Sequence, residues 1–230
     1  MQTHDQIYAS TKLEFVMAET PELTIRKVEP ADVEPVRRFM KRTFFKDEPI
    51  CKSLKVVVDD TVDEGVVDYC LRFLGQGLDL VAEYNGNIVG SSCSNVLIEK
   101  GSSLVERPYT LTDKGKIVKD LLEYVEEMAN PFDNANRVFL LNLLSVDPTF
   151  RGRGLGKKLL IESMRVAKEH GAQRVMVECT SVFTNAACRS LGFRDVFTLK
   201  YADYKLDGKV VVNPEPPHYA VVVAAFDFDQ

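Results

Sequence analysis

The chain has 230 residues and a formal net charge of −5 at pH 7, and 45% of its residues are hydrophobic. This size and composition predict one globular domain over residues 1–230, with a loosely ordered lead-in at about residues 1–20. The acidic balance argues against a nucleic-acid partner and would attract a cationic substrate. No apolar run approaches the ~20 residues of a membrane helix, so we expect no membrane partner.

The cysteine and histidine residues indicate the cellular compartment and whether a metal is bound. The five cysteines include no Cys-x-x-Cys pair, and residues 1–5 are polar, without the features of a secretory leader. This predicts reduced thiols and a cytoplasmic protein. No group of histidine, cysteine or acidic residues has metal-ligand spacing, so the sequence predicts no metal.

The first half of the chain predicts an alternation of strands and amphipathic helices. Val33, Val36, Met40 and Phe44 fall on one helical face, and Asn85-Gly86 between two apolar runs is typical of a hairpin. In chain order we predict a strand at 23–28, a helix from about 29 to 48, a helix at 62–74, strands at 78–84 and 88–96, a loop at 99–112 and a helix at 113–129.

The second half is organised around the apolar run at residues 138–146, which predicts a strand buried on both faces. Asp147-Pro148 ends this strand, and a helix follows that closes at Gly171. Beyond it we predict a strand at 174–179, a short helix at 184–191 and two strands at about 196–206 and 219–228.

Between the central strand and its helix lie three glycines at alternate positions, Gly152, Gly154 and Gly156, with basic neighbours. Glycine lets a backbone approach a ligand closely, and a helix N-terminus carries a partial positive charge, so this stretch predicts a pyrophosphate site. The spacing fits neither a Walker loop nor a dinucleotide fingerprint, in which Lys157 would have to be glycine. A plain basic strand-to-helix turn is the alternative.

Residues 151–156, Arg-Gly-Arg-Gly-Leu-Gly, resemble the acyl-coenzyme A loop of the GNAT superfamily of N-acetyltransferases, and Leu191-Gly192-Phe193 strengthens the match. The resemblance covers residues 23–228. It implies an α/β (α+β) fold with a central mixed, mostly antiparallel sheet, flanked by helices, whose fourth and fifth strands splay apart. It also implies acetyl-CoA as co-substrate, bound by Leu144, Ser145, Val146, Arg151, Gly152, Arg153, Gly154, Leu155, Gly156, Lys157 and Ser181.

A narrower resemblance lies at residues 44–50, Phe-Phe-Lys-Asp-Glu-Pro-Ile, which are similar to the Phe-Phe-x-Asp-Glu-Pro-Leu segment of insect arylalkylamine N-acetyltransferases, the dopamine N-acetyltransferase group. The resemblance implies that Glu48 is the general base, acting through ordered water. It places Phe44 and Asp47 beside the amine. Without it, Glu48 would be interpreted as an exposed carboxylate at a helix end.

The same insect family has two serines, four residues apart, that serve substrate binding and proton handling. Thr180 and Thr184 hold that spacing here, which implies catalytic hydroxyls with added methyl bulk. Helix capping by Thr180 or Ser181 is the alternative. The tyrosine acid of the wider superfamily would fall at Cys188, so we expect no tyrosine acid, and we interpret Cys188 and His218 as structural.

Together these resemblances imply direct, sequential acetyl transfer from acetyl-CoA to a small-molecule arylalkylamine such as serotonin, dopamine or tyramine, by a monomer. Three alternatives stay open. They are acetylation of polyamines or other small alkylamines, acetylation of protein N-termini or lysines, and a non-catalytic acyl-CoA-binding module.

Overall fold

The computed structural model describes residues 23–102 and 104–228, so the predicted lead-in lies outside the described residues. Within these ranges the main sheet has seven strands: β1 Leu23–Lys27, β2 Leu80–Tyr84, β3 Asn87–Ile98, β4 Arg137–Val146, β5 Arg174–Cys179, β6 Arg194–Lys200 and β7 Ala220–Asp227. The helices are α1 Val33–Arg42, α2 Phe44–Asp47, α3 Pro49–Ser53, α4 Glu64–Cys70, α5 Asp113–Met128, α6 Leu155–Glu169 and α7 Val182–Arg189. No helix in these ranges is both long and apolar enough to cross a bilayer.

The sheet has the order β1-β2-β3-β4-β5-β7-β6, and a short strand, Gly101–Ser102, pairs with β3. Every neighbouring pair of the seven strands is antiparallel except β4 and β5, which are parallel. The predicted mixed, mostly antiparallel sheet is therefore confirmed.

Strands β4 and β5 pair only over a short register, from Val138 opposite Arg174 to Leu141 opposite Val177. Beyond this point β4 continues to Val146 and β5 to Cys179. The two strands thus diverge at their carboxyl ends, which confirms the predicted splay and opens a gap in the middle of the sheet.

Helices cover both faces of the sheet. Val36 of α1 and Leu121 of α5 belong to one core layer, together with Leu140. Leu159 of α6 belongs to the other layer, together with Leu141. Successive β4 residues enter opposite layers because side chains alternate along a strand, which confirms that the apolar run forms a strand buried on both faces.

The predicted helix at about 29–48 was wrong in one functionally important respect, because it is broken at Thr43 and again at Glu48. The Thr43 hydroxyl donates to the Phe39 carbonyl at 2.8 Å, a contact that competes with regular helix geometry. Pro49 then begins α3 as its first residue, a position that suits proline. Glu48 consequently lies at the junction of two short helices, as the C-cap of α2 and the N-cap of α3.

Two further boundaries differ from the prediction. The helix predicted at 62–74 is shorter, since Val62 pairs with Val57 in a two-stranded hairpin and Asp63 caps α4. The strand predicted at 196–206 ends at Lys200, because Tyr201–Asp203 turn as a 3₁₀ helix.

Candidate active site

A cleft of about 650 Å³ lies at the splayed ends of β4 and β5. This volume is in the range of about 300–1,000 Å³ that small-molecule sites occupy. Its walls come from the glycine loop, the junction of α2 and α3, the start of α7 and the segment before β7. The lining includes Thr43, Phe44, Asp47, Glu48, Leu144, Ser145, Val146, Arg151, Gly152, Gly154, Leu155, Gly156, Lys157, Thr180, Ser181, Phe183, Thr184 and His218.

The glycine loop presents backbone N–H groups to this cleft. Gly152 and Gly154 have φ values of 72° and 78°, a left-handed conformation that glycine adopts without strain. The first hydrogen bond inside α6 runs from Lys158 N to the Gly154 carbonyl, so the N–H groups of residues 155–157 have no acceptor within the helix. These donors and the helix dipole form an anion site.

The two arginines of the loop are placed differently. Arg151 Nε donates to the Val146 carbonyl at 3.0 Å, and its Nη2 contacts Asp47 Oδ2 at 2.6 Å. Arg151 therefore bridges the glycine loop and α2 across the mouth of the cleft. Arg153 does not line the cleft, and its guanidinium lies 5.6 Å from the centre of the Phe150 ring.

Residues 144–146, which the resemblance assigns to the acetyl-CoA arm, form the β4 wall of the cleft. The buried Ser145 hydroxyl donates to Thr43 Oγ1 at 2.8 Å and so ties β4 to the junction of α1 and α2. The Val146 carbonyl already accepts from Arg151. The Ser145 hydroxyl proton and the Val146 carbonyl are thus both engaged within the protein.

Glu48 is only 7% exposed, so its interpretation as an exposed carboxylate is wrong. Its Oε1 accepts from Ile50 N at 3.0 Å and its Oε2 from Cys51 N at 2.6 Å, which makes Glu48 the N-cap of α3. Each carboxylate oxygen keeps a second lone pair for water or substrate. The cap fixes the direction of the carboxylate, which borders the same cleft as the glycine loop.

Thr180 and Thr184 both line the cleft. Helix α7 is capped by Ser181 and not by Thr180, because the Ser181 Oγ accepts from Phe183 N at 3.2 Å. Neither threonine hydroxyl has a hydrogen-bond partner in residues 23–102 and 104–228. The structure therefore brings two unengaged hydroxyls together with Glu48.

Tyr201 supports this wall, although no pattern in the sequence distinguishes it from the rest of a predicted strand. It is 2% exposed, and its hydroxyl donates to the Thr180 carbonyl at 2.9 Å. Burial, followed by the charge of Glu48, raises the pKa of Tyr201. Tyr201 thus remains a neutral donor that fixes the backbone at Thr180.

Replacing Tyr201 with phenylalanine should lower the free energy of unfolding by about 1 kcal/mol, because the half-buried Thr180 carbonyl loses its partner. Urea denaturation measures this change. Tyr219→Phe is the matched control, since Tyr219 is 64% exposed. Equal stability of the two variants would contradict a supporting role for the Tyr201 hydroxyl.

His218 lies in the cleft wall, where its Nδ1 accepts from Val182 N at 3.4 Å and its ring packs edge-on to Phe183. Burial lowers the pKa of His218, Glu48 opposes this change and Lys52 adds to it. A neutral ring with its proton on Nε2 fits these contacts. His218 therefore anchors the start of α7, in line with the structural interpretation.

Cys188 packs in the core with its sulfur 3.7 Å from that of Cys179, as expected of a structural residue. Across the described residues, no group of three or more histidine, cysteine or acidic side chains is arranged to hold a metal.

A smaller cavity of about 90 Å³ adjoins the cleft on the α4 and α5 side of the sheet. We call it the inner chamber. Five residues line both spaces: Phe44, Glu48, Leu144, Thr180 and Thr184. The chamber is otherwise bordered mainly by apolar side chains, together with Arg72, Glu123, Glu126 and Glu178.

Comparisons with known proteins agree with this architecture. A family model described as the Acetyltransferase (GNAT) family matches residues 58–193. Arylalkylamine N-acetyltransferase 2 from Aedes aegypti superposes with a TM-score of 0.80 at 23% identity, covering 90% of this chain and 100% of that one.

Two other solved structures extend the comparison. A Drosophila melanogaster polyamine N-acetyltransferase, described as catalysing the formation of N-acetylagmatine, gives a TM-score of 0.73 at 23% identity over 90% of this chain and 100% of that one. The yncA protein of Salmonella typhimurium, solved with acetyl-CoA, gives 0.52 at 18% identity over 91% and 95%. At these identities the likeness establishes the shared fold.

Proposed function

The chain belongs to the GNAT family of acetyltransferases and is an acetyl-CoA-dependent N-acetyltransferase, and from this premise we propose that its acceptor is the primary amine of an arylalkylamine of the serotonin, dopamine or tyramine kind. One observation carries the proposal. The buried carboxylate of Glu48 borders the same cleft as the N–H groups of the glycine loop.

The glycine loop would hold the diphosphate of acetyl-CoA on the N–H groups of residues 155–157, with Lys157 as a further donor. The backbone of residues 144–146 would pair with the pantetheine arm in the gap between β4 and β5. This direction points the thioester from the glycine loop toward the shared wall of Glu48, Thr180 and Thr184.

A base is required because an alkylammonium has a pKa near ~10, like lysine, and cannot attack a thioester while protonated. Glu48 would accept the amine proton through a water molecule. The freed nitrogen pair then forms the C–N bond, and collapse of the tetrahedral intermediate breaks the C–S bond. The second proton of the nitrogen passes to the departing CoA thiolate, so the products are the neutral amide and the CoA thiol. The unengaged hydroxyls of Thr180 and Thr184 would orient the amine.

A second candidate acceptor class is the polyamines or other small alkylamines. The observation that favours it is the acidic lining of the inner chamber, since Glu123, Glu126 and Glu178 all border it. The polyamine acetyltransferase that shares this fold is consistent with the same class.

The test is a set of kinetic assays with serotonin, dopamine, tyramine and spermine as acceptors and acetyl-CoA as donor. The rate of each reaction is measured from the CoA thiol that is released. We expect acetylation of at least one amine class, and the largest kcat/KM identifies it. A chain that binds CoA in a thermal-shift assay but acetylates no amine would be a non-catalytic binding module. The cytoplasmic location and the monomeric state stay predictions.

A further inference from the structure

Glu178 stands out in the inner chamber as a half-buried carboxyl group, one oxygen of which has no partner among the described residues. It occupies β5, a strand otherwise composed largely of apolar residues. Part of its side chain borders the chamber, while its Oε1 is closed to solvent and accepts no hydrogen bond from the described residues. An unpaired buried polar group destabilises a fold, so its presence calls for a reason.

Asp79 shows what a structural buried carboxylate looks like in the same chain. It is 1% exposed, yet its oxygens accept from Ser94 N at 2.9 Å and from Gly75 N at 2.7 Å. Burial raises the pKa of Asp79 to about 6, and the bonds from Ser94 and Gly75 limit this rise. Glu178 has no such bonds, and burial, with Glu126 adding to it and Arg72 opposing it, raises its pKa to about 8.

The inner chamber has more acidic groups than basic ones: Glu123, Glu126 and Glu178 border it, together with Arg72. Burial also raises the pKa of Glu126 on α5, with Arg72 acting against this and Glu123 with it. The guanidinium of Arg72 is already committed, since Nε contacts Glu106 at 3.1 Å and Nη1 donates to the Tyr69 carbonyl at 2.9 Å.

Besides Glu48, which the chamber shares with the cleft, two further titratable groups of the chamber wall stay neutral. Burial raises the pKa of the Tyr69 hydroxyl and raises that of the Cys70 thiol to about 12. Because its pKa is raised, Glu178 tends to keep its proton. A cation bound in the chamber would favour the ionised carboxylate instead.

We propose that the inner chamber binds the positively charged far end of the amine substrate, a second ammonium or a guanidinium, through the carboxylates of Glu178 and Glu126. The near amine of the same molecule would be acetylated beside Glu48, in the wall that the chamber and the cleft share. This inference rests on the proposed acetyl transfer and, within it, favours the second candidate class of acceptor.

The far-end group takes no part in the chemistry and keeps its charge. Its arrival ionises Glu178, whose proton passes to solvent, because an opposite charge at close range favours the carboxylate. The ratio of kcat/KM for a diamine to kcat/KM for a monoamine should therefore increase from pH 6 to pH 8. The near amine loses its proton in both substrates, so the ratio of the two kcat/KM values isolates Glu178.

The test compares 1,5-diaminopentane with pentylamine, which differ only by the second nitrogen. We expect kcat/KM for the diamine to exceed that for the monoamine at least tenfold at pH 8, and Glu178→Gln to lower this ratio at least tenfold. Glu127→Gln is the matched control, since Glu127 is exposed on the same helix as Glu126. Diamines with three to six carbons then locate the best length.

Two results would overturn the inference: pentylamine as the better substrate, or a ratio that Glu178→Gln leaves unchanged. If no amine is acetylated, the proposed function fails separately. Calorimetric binding of 1,5-diaminopentane in the presence of CoA then decides the inference, which predicts binding that Glu178→Gln abolishes.

Thermal unfolding of Glu178→Gln shows that the variant folds and checks the burial directly. Because the pKa of Glu178 is raised in the folded state, the protein loses stability as the pH rises from the pKa of the unfolded carboxyl toward about 8. The variant should therefore have a higher Tm than the parent at pH 8, with a smaller difference at pH 5. An equal difference at both values would mean that Glu178 is ordinarily solvated.

Discussion

Replacing Glu48 with alanine should lower kcat/KM for the amine about 10²-fold or more, the range in which a positioned general base contributes. The substitution removes the carboxylate that borders both the cleft and the inner chamber. The loss should fall mainly on kcat, since the glycine loop, which we propose holds acetyl-CoA, is unchanged. Initial rates of CoA release with saturating acetyl-CoA measure it.

The same substitution also removes the N-cap of α3, which by itself costs about 1 kcal/mol of stability. Asp63→Ala separates the two effects, because the Asp63 carboxylate caps α4 by accepting from Val66 N at 3.2 Å and lies outside the cleft. We expect both variants to lose stability by similar amounts and only Glu48→Ala to lose turnover. Unchanged turnover in Glu48→Ala would remove Glu48 from the mechanism.

Gly156→Ala should raise the KM for acetyl-CoA about 10²-fold while leaving the fold intact, a combination that follows from the position of this glycine. Gly156 is the second residue of α6, and a Cβ there would meet only Val146 Cγ2, at an ordinary 3.7 Å. Alanine within a helix is more stable than glycine by about 0.5–1 kcal/mol. The added methyl group borders the cleft where a diphosphate must approach the backbone.

A thermal-shift assay with CoA measures this loss without turnover. CoA at 100 times the Kd of the parent should stabilise the parent by about 2.7 kcal/mol, and a 100-fold weaker variant by only about 0.4 kcal/mol. Ile161→Ala, on an exposed position of the same helix, should respond to CoA like the parent. Normal CoA stabilisation of Gly156→Ala would contradict the position assigned to the diphosphate.

The glycine loop could be predicted from sequence because its physics is local. The left-handed conformations of Gly152 and Gly154 and the start of α6 depend on adjacent residues. The apolar run of β4 likewise identifies a strand buried on both faces without any knowledge of its partners.

The surroundings of Glu48 could be predicted only in part. Pro49 indicated a helix boundary, but the pattern did not show that the proline begins a new helix, which makes Glu48 a cap. That outcome depends on the break at Thr43, and Thr43 is held by Ser145, a residue far along the chain. Local propensity carries no information about such a contact.

The inner chamber could not be predicted, because it is assembled from α4, α5 and β5 by the order of strands in the sheet. One signal was available for Glu178. It lies two residues from Met176 on the same face of β5, and Met176 is fully buried, so an acidic residue at the next inward position deserved notice.

The short register between β4 and β5 divides the sheet into two blocks, β1–β4 and β5–β7. Helices α1 and α6 pack mainly on the first block, while α5 and α7 pack on the second. Both core layers nevertheless run across this seam, since Val81 and Val223 belong to one hydrophobic cluster and Leu80 and Val175 belong to the other. These shared cores should hold the gap between β4 and β5 at a fixed width, so we expect the long thioester substrate to enter and leave along the gap without a large movement of either block.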